Sequence, residues 1–121
     1  MCIRDRLHCT ASGKLFLAQM PADERDKVIA SLTLTRMTRT TLTSKKALRA
    51  ECETIAARGY SCDREEFIAG LIAVAVPAGS AASGPRVAIA VHAPTARMSL
   101  EQALARLATL QAGARRMSAL L

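Results

Sequence analysis

Apolar residues recur at helical spacing in several segments of the chain, and capping residues and breakers separate these segments. The first helix is predicted over Thr10–Met20, with Thr10 or Ser12 as an N-cap whose side chain accepts a backbone N–H. Gly13 lies in its first turn, where a side chain would block the close approach of another group. A second, short helix is predicted to begin at Pro21, because proline is tolerated in a first helical turn.

The same pattern predicts two later helices. One is capped by Thr43 or Ser44 and extends through Ala57, with apolar positions near i, i+4 and i+7 spacing. The last begins at Ser99, which forms a capping-box pattern with Gln102. Its apolar stripe is typical of a helix that packs on a sheet or on a partner helix.

Continuous apolar runs indicate strands between these helices. We expect a strand over residues 60–66, and then an antiparallel hairpin made of the runs Leu71–Val76 and Val87–Val91. The hairpin is predicted to be well covered, because both runs are apolar throughout. A short strand around Leu34–Met37 is also predicted. Helices, then strands, then a helix form an α+β layout.

Composition and charge narrow the class of protein. With 121 residues, half of them hydrophobic, the chain is one domain or part of one. The net charge of +7 leaves two interpretations, a solvated basic surface or a patch that helps a neighbouring domain meet DNA, and the even spread of basic residues favours the first. The sequence shows no bilayer-length apolar run and no secretory signal, so we predict a cytoplasmic location without membrane contact.

The spacing of cysteine and histidine matches no metal-binding pattern. The four cysteines include no C-x-x-C pair, and the two histidines lie far apart in the sequence. We therefore predict no metal and no cofactor, with buried reduced thiols as the role of the cysteines.

The start of the first helix is a candidate anion site. Gly13-Lys14 lacks the remaining residues of a phosphate-binding loop, since His8 and Leu15 stand where the motif needs glycine and a hydroxyl residue. Small residues at a helix start still leave backbone N–H groups open to an anion. An ordinary capped helix is the alternative.

An acidic cluster follows the third helix. Strand alternation predicts Asp63 and Glu65 on one face and Glu66 on the other. The cluster has no Lys or His companion nearby in the sequence to complete a mechanism, so we predict a solvated edge or a pocket rim and no catalytic residue. His92, at the end of the last apolar run, is open to either a structural role or a ligand contact.

Three segments together resemble the effector-binding domain of IclR-type transcriptional regulators, the isocitrate lyase regulator family. The segments are LHCTASGKLFLAQMP, RGYSCDREEFIAGLIAVAVP and RVAIAVHAPTARMS. The resemblance implies an α+β, GAF-like (profilin-like) sensor domain whose antiparallel sheet is flanked by helices and lacks its first strands. Residues 7–121 would then be a partial effector-binding domain, and residues 1–6, which have no cap or periodicity, a non-native leader.

The resemblance also implies a ligand site between the sheet and the helix start. Carried over to this sequence, the ligand-binding residues are Ala11, Ser12, Asp63, Ala73, Ala90 and His92. Ala11 and Ser12 would act through backbone N–H groups, and Asp63 would lie at the rim. Ala90 and His92 stand where the family often has serine, so an imidazole here would pair with a carboxylate more strongly than a hydroxyl could.

The implied function is that of a non-enzymatic sensor. The domain would bind a small organic, carboxylated metabolite, assemble as a homo-oligomer (dimer or tetramer), and modulate operator DNA binding through an N-terminal domain absent from this sequence. The alternative is an oligomerisation module without a ligand, with the helix from Ser99 as its interface.

Overall fold

Capping residues and glycines divide the chain into helices and strands in a computed structural model, which describes residues 6–79 and 87–120. In chain order the elements are α1 (Ala11–Ala18), α2 (Ala22–Ser31), α3 (Lys45–Arg58), β1 (Ser61–Arg64), β2 (Leu71–Ala78), β3 (Val87–Pro94), α4 (Leu100–Leu104) and α5 (Leu107–Ser118). The predicted order of helices, strands and a helical end is confirmed.

Local capping chemistry sets the helix boundaries. The Thr10 hydroxyl accepts the Gly13 N–H at 3.0 Å at the start of α1, and Ser44 caps α3. Helix α3 ends at Gly59, whose φ of 85° lies in the left-handed region that glycine adopts without a side-chain clash. The predicted capping box at Ser99 is present at the start of α4.

The strands form an antiparallel sheet in the order β1-β2-β3. Ala73, in the central strand, is paired with Asp63 on one side and with His92 on the other. Because directly paired residues point to the same face of a sheet, these three residues form one row across it.

Each face of β2 packs against a different group of helices. On one face the buried cluster contains Ala11, Leu15, Ile55, Ala73 and Ala75, which brings α1 and α3 onto a floor of alanines. On the other face Val76 and Ala78 pack against Ala114 of α5. A third cluster, which includes Leu17, Ile29 and Leu48, joins α1, α2 and α3.

The prediction of a well-covered hairpin holds for β2 alone. Residues Ile72–Val76 are buried, whereas β3 is partly or fully exposed along its length. Strand β3 lies at one edge of the described sheet, so its residues are covered from fewer directions than those of the central strand. Most of the predicted hairpin loop, residues 80–86, lies outside the described residues.

Apart from shifts of a few residues at the ends of elements, three features differ from the sequence prediction. Strand β1 stops at Arg64 because Glu65 adopts a positive φ of 58°, which turns the chain out of the sheet. The last helix is two helices, α4 and α5, interrupted at Ala105 and Arg106. Residues 34–37 belong to no strand in the described part of the chain.

Arg6 is the described part of the predicted leader. Its guanidinium lies 4.8 Å from the centroid of the Phe67 ring, and its carbonyl accepts the Thr10 hydroxyl at 2.9 Å. Residues 1–5 lie outside the described residues, and their non-native origin stays a prediction.

We expect Gly13→Ala to destabilise the domain, because a Cβ at this position would lie 2.7 Å from the carbonyl oxygen of Arg6 and 2.7 Å from the Cα of Leu7. Overpacking against backbone should lower the free energy of unfolding by about 1–3 kcal/mol in urea denaturation. The matched control is Gly113→Ala, in the middle of α5 with open space around it. It should raise that free energy by about 0.5–1 kcal/mol. Equal effects of the two substitutions would contradict the close approach at Gly13.

Candidate ligand-binding site

A cavity of about 450 Å³ lies between the start of α1 and strand β3. Its walls include Thr10, Ser12, Gly13 and Phe16 from the α1 side and Ala88 and His92 from β3. A volume of this size is within the range of about 300–1,000 Å³ that is usual for small-molecule sites. The cavity can therefore hold a small organic molecule.

The surface around this cavity is mainly apolar, with polar groups at a few positions. The apolar surface comes from side chains such as Leu7, Phe16 and Ala88. Polar groups come from the remaining walls, with Ser12 on α1 opposite His92 on β3. The other polar lining residues are Arg6, Thr10 and Gln19. Few polar groups in an apolar pocket fix the orientation of a ligand, and the apolar surface provides the contact area.

The capping geometry decides which N–H groups at the helix start are used internally. The N–H of Gly13 donates to the Thr10 hydroxyl, and that of Lys14 donates to the Thr10 carbonyl at 3.0 Å. The N–H groups of Ala11 and Ser12 have no carbonyl within the helix to bind, since the first turn precedes every possible acceptor. The helix dipole adds a partial positive charge at the same place.

The structure places the predicted ligand-binding residues in two layers. Ser12 and His92 line the cavity. Ala11 and Ala73 are fully buried behind it, and Ala90 packs against their cluster. Ala73 and Ala90 of the sheet therefore form the floor on which α1 rests, with Ala11 on the helix side of the contact.

Asp63 lies behind the cavity, at the far end of the row that contains Ala73 and His92. Its side chain is 3% exposed and accepts the Glu66 N–H at 2.7 Å. Burial raises the pKa of Asp63, and the charge of Glu66 adds to this effect. Together they outweigh the hydrogen bond from the Glu66 N–H and the charges of Lys14 and His92, which lower that pKa.

The strand alternation predicted for the acidic cluster is wrong. Glu66 is buried on the same side as Asp63, because the positive φ of Glu65 reverses the direction of the chain. Glu66 is therefore not a solvated edge. It is paired with Lys14, whose Nζ lies 2.9 Å from both of its carboxylate oxygens.

Sequence reasoning missed this ion pair. Lys14 and Glu66 are 52 residues apart, so neither appears as the companion of the other in a local motif. A signal was present on the helix face: Ala11, Lys14, Leu15 and Ala18 follow i, i+3, i+4, i+7 spacing, which places a lysine on the buried stripe. A buried lysine requires a partner elsewhere in the fold.

The described residues contain no group of three or more His, Cys, Asp or Glu side chains that could hold a metal ion. Cys9, Cys52 and Cys62 are buried and are not joined by disulfides. Burial raises the pKa of the Cys9 and Cys52 thiols to about 11. Cys2 lies outside the described residues.

No helix in the described part of the chain is long and apolar enough to cross a bilayer.

Comparison with known sequences identifies one family over nearly the whole chain. The profile of the bacterial transcriptional regulator IclR C-terminal family matches residues 3–119. The chain is 44% identical over 96 residues to the probable transcriptional regulator SauR of Cupriavidus necator, covering 79% of this chain and 38% of that protein. It is 33% identical over 116 residues to the HTH-type transcriptional regulator KdgR of Escherichia coli, covering 96% of this chain and 44% of that protein. The chain thus spans less than half of each relative.

Solved structures show the same fold. The C-terminal domain of the E. coli regulator KdgR matches with a TM-score of 0.83 and 33% identity, over 93% of this chain and 69% of that one. The inducer-binding domain of PobR from Acinetobacter, as a double mutant in complex with 3-hydroxybenzoic acid, matches with a TM-score of 0.88 and 23% identity, over 95% and 66%. At that identity the PobR match shows the fold alone. The predicted α+β effector-binding fold is confirmed.

We expect Asp63→Asn to stabilise the domain at neutral pH. Because burial raises the pKa of Asp63 in the folded state, the parent chain loses stability as pH rises from the unfolded value of 3.8 through the folded value. Asparagine does not ionise, and its side-chain oxygen can still accept the Glu66 N–H. The advantage of the variant in urea denaturation should grow with pH through this window and then stay constant.

Asp63→Ala separates the charge from the hydrogen bond in this experiment. It removes the acceptor of the Glu66 N–H and should destabilise the domain at every pH by about 1–3 kcal/mol, the penalty for an unsatisfied buried donor. An Asp63→Asn advantage that is absent, or that decreases with rising pH, would contradict the raised pKa.

Proposed function

This chain belongs to the IclR family of bacterial transcriptional regulators, and on that premise we propose that its domain senses a small organic acid. The observation that carries the proposal is the cavity between the start of α1 and His92. Binding of the acid there would change operator binding by the DNA-binding part of the complete regulator, in the cytoplasm.

The proposed ligand places its carboxylate at the start of α1. The N–H group of Ser12, which lines the cavity, would donate to it. Ala11, buried behind the cavity, would contribute its N–H to the positive end of the helix dipole. His92, on the opposite wall, would form a charge-assisted hydrogen bond when its imidazole is protonated. The apolar body of the acid would contact Phe16 and Ala88.

The remaining predicted residues act one layer further from the ligand. Ala73 and Ala90 would keep the floor of the site low, since a larger side chain there would displace α1 or fill the space beside it. Asp63 would influence His92 through its charge along their shared row. We propose that Ala11, Ser12, Asp63, Ala73, Ala90 and His92 together define the site.

Regulation requires that the acid bind two states of the protein with different affinity. We propose that these states are two packings of a homo-oligomer, dimer or tetramer, whose change reaches the DNA-binding domains. The coupling is reciprocal, so operator DNA would change the affinity for the acid by the same factor.

Assembly without a ligand is the second candidate function. It is favoured by α5 and the turn after it, where Met117 is 40% exposed and Leu120 is 87% exposed. Exposed apolar side chains close together on one helix end are typical of a contact with another chain.

Changing both residues to glutamate, Met117→Glu with Leu120→Glu, tests this assembly in light scattering. Charged side chains at an apolar contact should convert an oligomer into a smaller species, because their burial without partners is unfavourable. Lys46→Glu, an exposed change on α3, serves as the control. An unchanged mass in the double variant excludes this contact.

The acid site is tested with Ser12→Pro and its matched control Ser12→Ala. Proline removes the Ser12 N–H and fits a first helical turn, whereas alanine keeps the N–H and removes only the hydroxyl. We expect Ser12→Pro to weaken binding of benzoate and 3-hydroxybenzoate by about tenfold or more, the usual effect of losing a hydrogen bond to a charged group. Ser12→Ala should retain most of the affinity.

His92→Ala should weaken the same two acids, and the melting temperature without acid would show that each variant remains folded. The measurements are thermal shift and calorimetric titration on the parent chain and the variants, with a panel that extends to aliphatic keto acids. Stabilisation by none of these acids, or equal affinity of the proline and alanine variants, would remove the helix start as the anion site.

A further inference from the structure

The Lys14 side chain is the most completely buried charge in the described part of the chain. It is 1% exposed, and its Nζ donates to both Glu66 oxygens at 2.9 Å. Glu51 lies further away, at 3.9 Å. Lys14 follows directly after Ser12 and Gly13, two residues that line the cavity.

Glu66 is held on several sides and is therefore a fixed point. One of its carboxylate oxygens accepts the Arg64 N–H at 2.9 Å, and its own N–H donates to Asp63. Its carbonyl accepts the Thr41 hydroxyl at 2.6 Å. A side chain with this many partners has little freedom to follow a moving helix.

The surface beneath α1 cannot fix the helix by itself. Helices usually lock into position when side-chain ridges fit into grooves. Here α1 meets Ala73 and Ala75, with Ala90 beside them, so the sheet presents short side chains and shallow grooves. Rotation or sliding of α1 on this floor would move the Ser12 N–H relative to His92.

Stability alone does not account for a buried ion pair. Taking both charges out of water is costly, and well-packed neutral side chains of similar size are often equally stable or more stable. The particular property of an ion pair is its short, directional contact, which defines where one atom lies relative to another.

We propose that the Lys14–Glu66 ion pair positions the first turn of α1, so that the Ser12 and Gly13 backbone faces the cavity in a fixed orientation. Lys14 is in this sense a positioning residue for effector binding and does not touch the effector. The part that concerns effector binding rests on the function proposed above, whereas the positioning of the helix does not.

The test removes both charges together, in Lys14→Met/Glu66→Gln. Methionine keeps the length and apolar character of the lysine stem, and the glutamine oxygen can still accept the Arg64 N–H. The unfolding midpoint should remain close to that of the parent, because neither charge of the pair is left buried without its partner. The opposing effects of Lys14 and Glu66 on buried Asp63 are removed together. Amide hydrogen exchange of Gly13, Lys14 and Leu15, measured without ligand, should become faster by about tenfold or more relative to the amides of α3.

Benzoate affinity is the second readout on the same double variant. It should fall by about tenfold although the unfolding midpoint is retained, which a role in stability alone would not produce. Glu53→Gln is the control, because it removes an ion pair with Arg25 between α2 and α3 and leaves the cavity untouched. It should change neither readout.

Two results would overturn the proposal. One is parent-like exchange in the first turn of the double variant, and the other is acceleration of α1 and α3 amides by the same factor, which would assign the pair to global stability. If the double variant does not fold, the single variant Glu66→Asp tests the proposal instead. It keeps the negative charge but holds it one methylene further from Lys14. It should therefore accelerate amide exchange in the first turn of α1 and leave the exchange of α3 unchanged. Absence of benzoate binding to the parent chain would count against the proposed function. The hydrogen-exchange measurement would still test whether the ion pair positions the first turn of α1.

Discussion

The close packing of α1 against small groups is the constraint on which the rest of the structure depends. Gly13 allows the first turn to approach the backbone of Arg6 and Leu7, and alanines of β2 allow the helix to lie directly on the sheet. Because the helix start is this close to its neighbours, Ser12 and Gly13 of α1 and His92 of β3 line one cavity. Larger residues on any of these surfaces would separate the two walls of the site.

The Lys14–Glu66 ion pair adds a directional contact to the packing of α1 on small residues. Packing on alanines brings α1 near the sheet, but on that side the sheet offers the helix only short side chains to interlock with. The ion pair from Lys14 to Glu66 supplies a directional contact at the first turn, and the turn after β1 supplies a rigid partner. The acidic cluster therefore contributes to the architecture of the site through Glu66, with Asp63 buried beside it.

Features that depend on neighbours in the sequence were predicted from it. The caps at Thr10, Ser44 and Ser99 and the left-handed Gly59 each depend on a few adjacent residues. The family was predicted from three sequence segments in their order along the chain, and the fold was predicted from the family. Of the candidate site, Ser12 and His92 line the cavity, and their contact with a ligand stays a prediction.

Features set by distant residues were not predictable in the same way. The partner of Lys14 lies 52 residues away, and the positive φ of Glu65 is adopted by a residue type that rarely shows it. The exposure of β3 follows from its place at the edge of the described sheet, which an apolar run does not reveal. The interruption near Ala105 falls within a continuous helical pattern.

Strand β2 has a different chemistry on each face, and this has a consequence for how such a domain can change. Toward α1 it presents Ala73 and Ala75, and toward α5 it presents the bulkier Val74 and Val76. Most of the apolar area that the strand buries therefore lies on the side away from the cavity. Substitutions on the alanine face can reshape the cavity while the valine face keeps the sheet and α5 together. The shape of the cavity and the stability of the sheet can therefore change independently of each other.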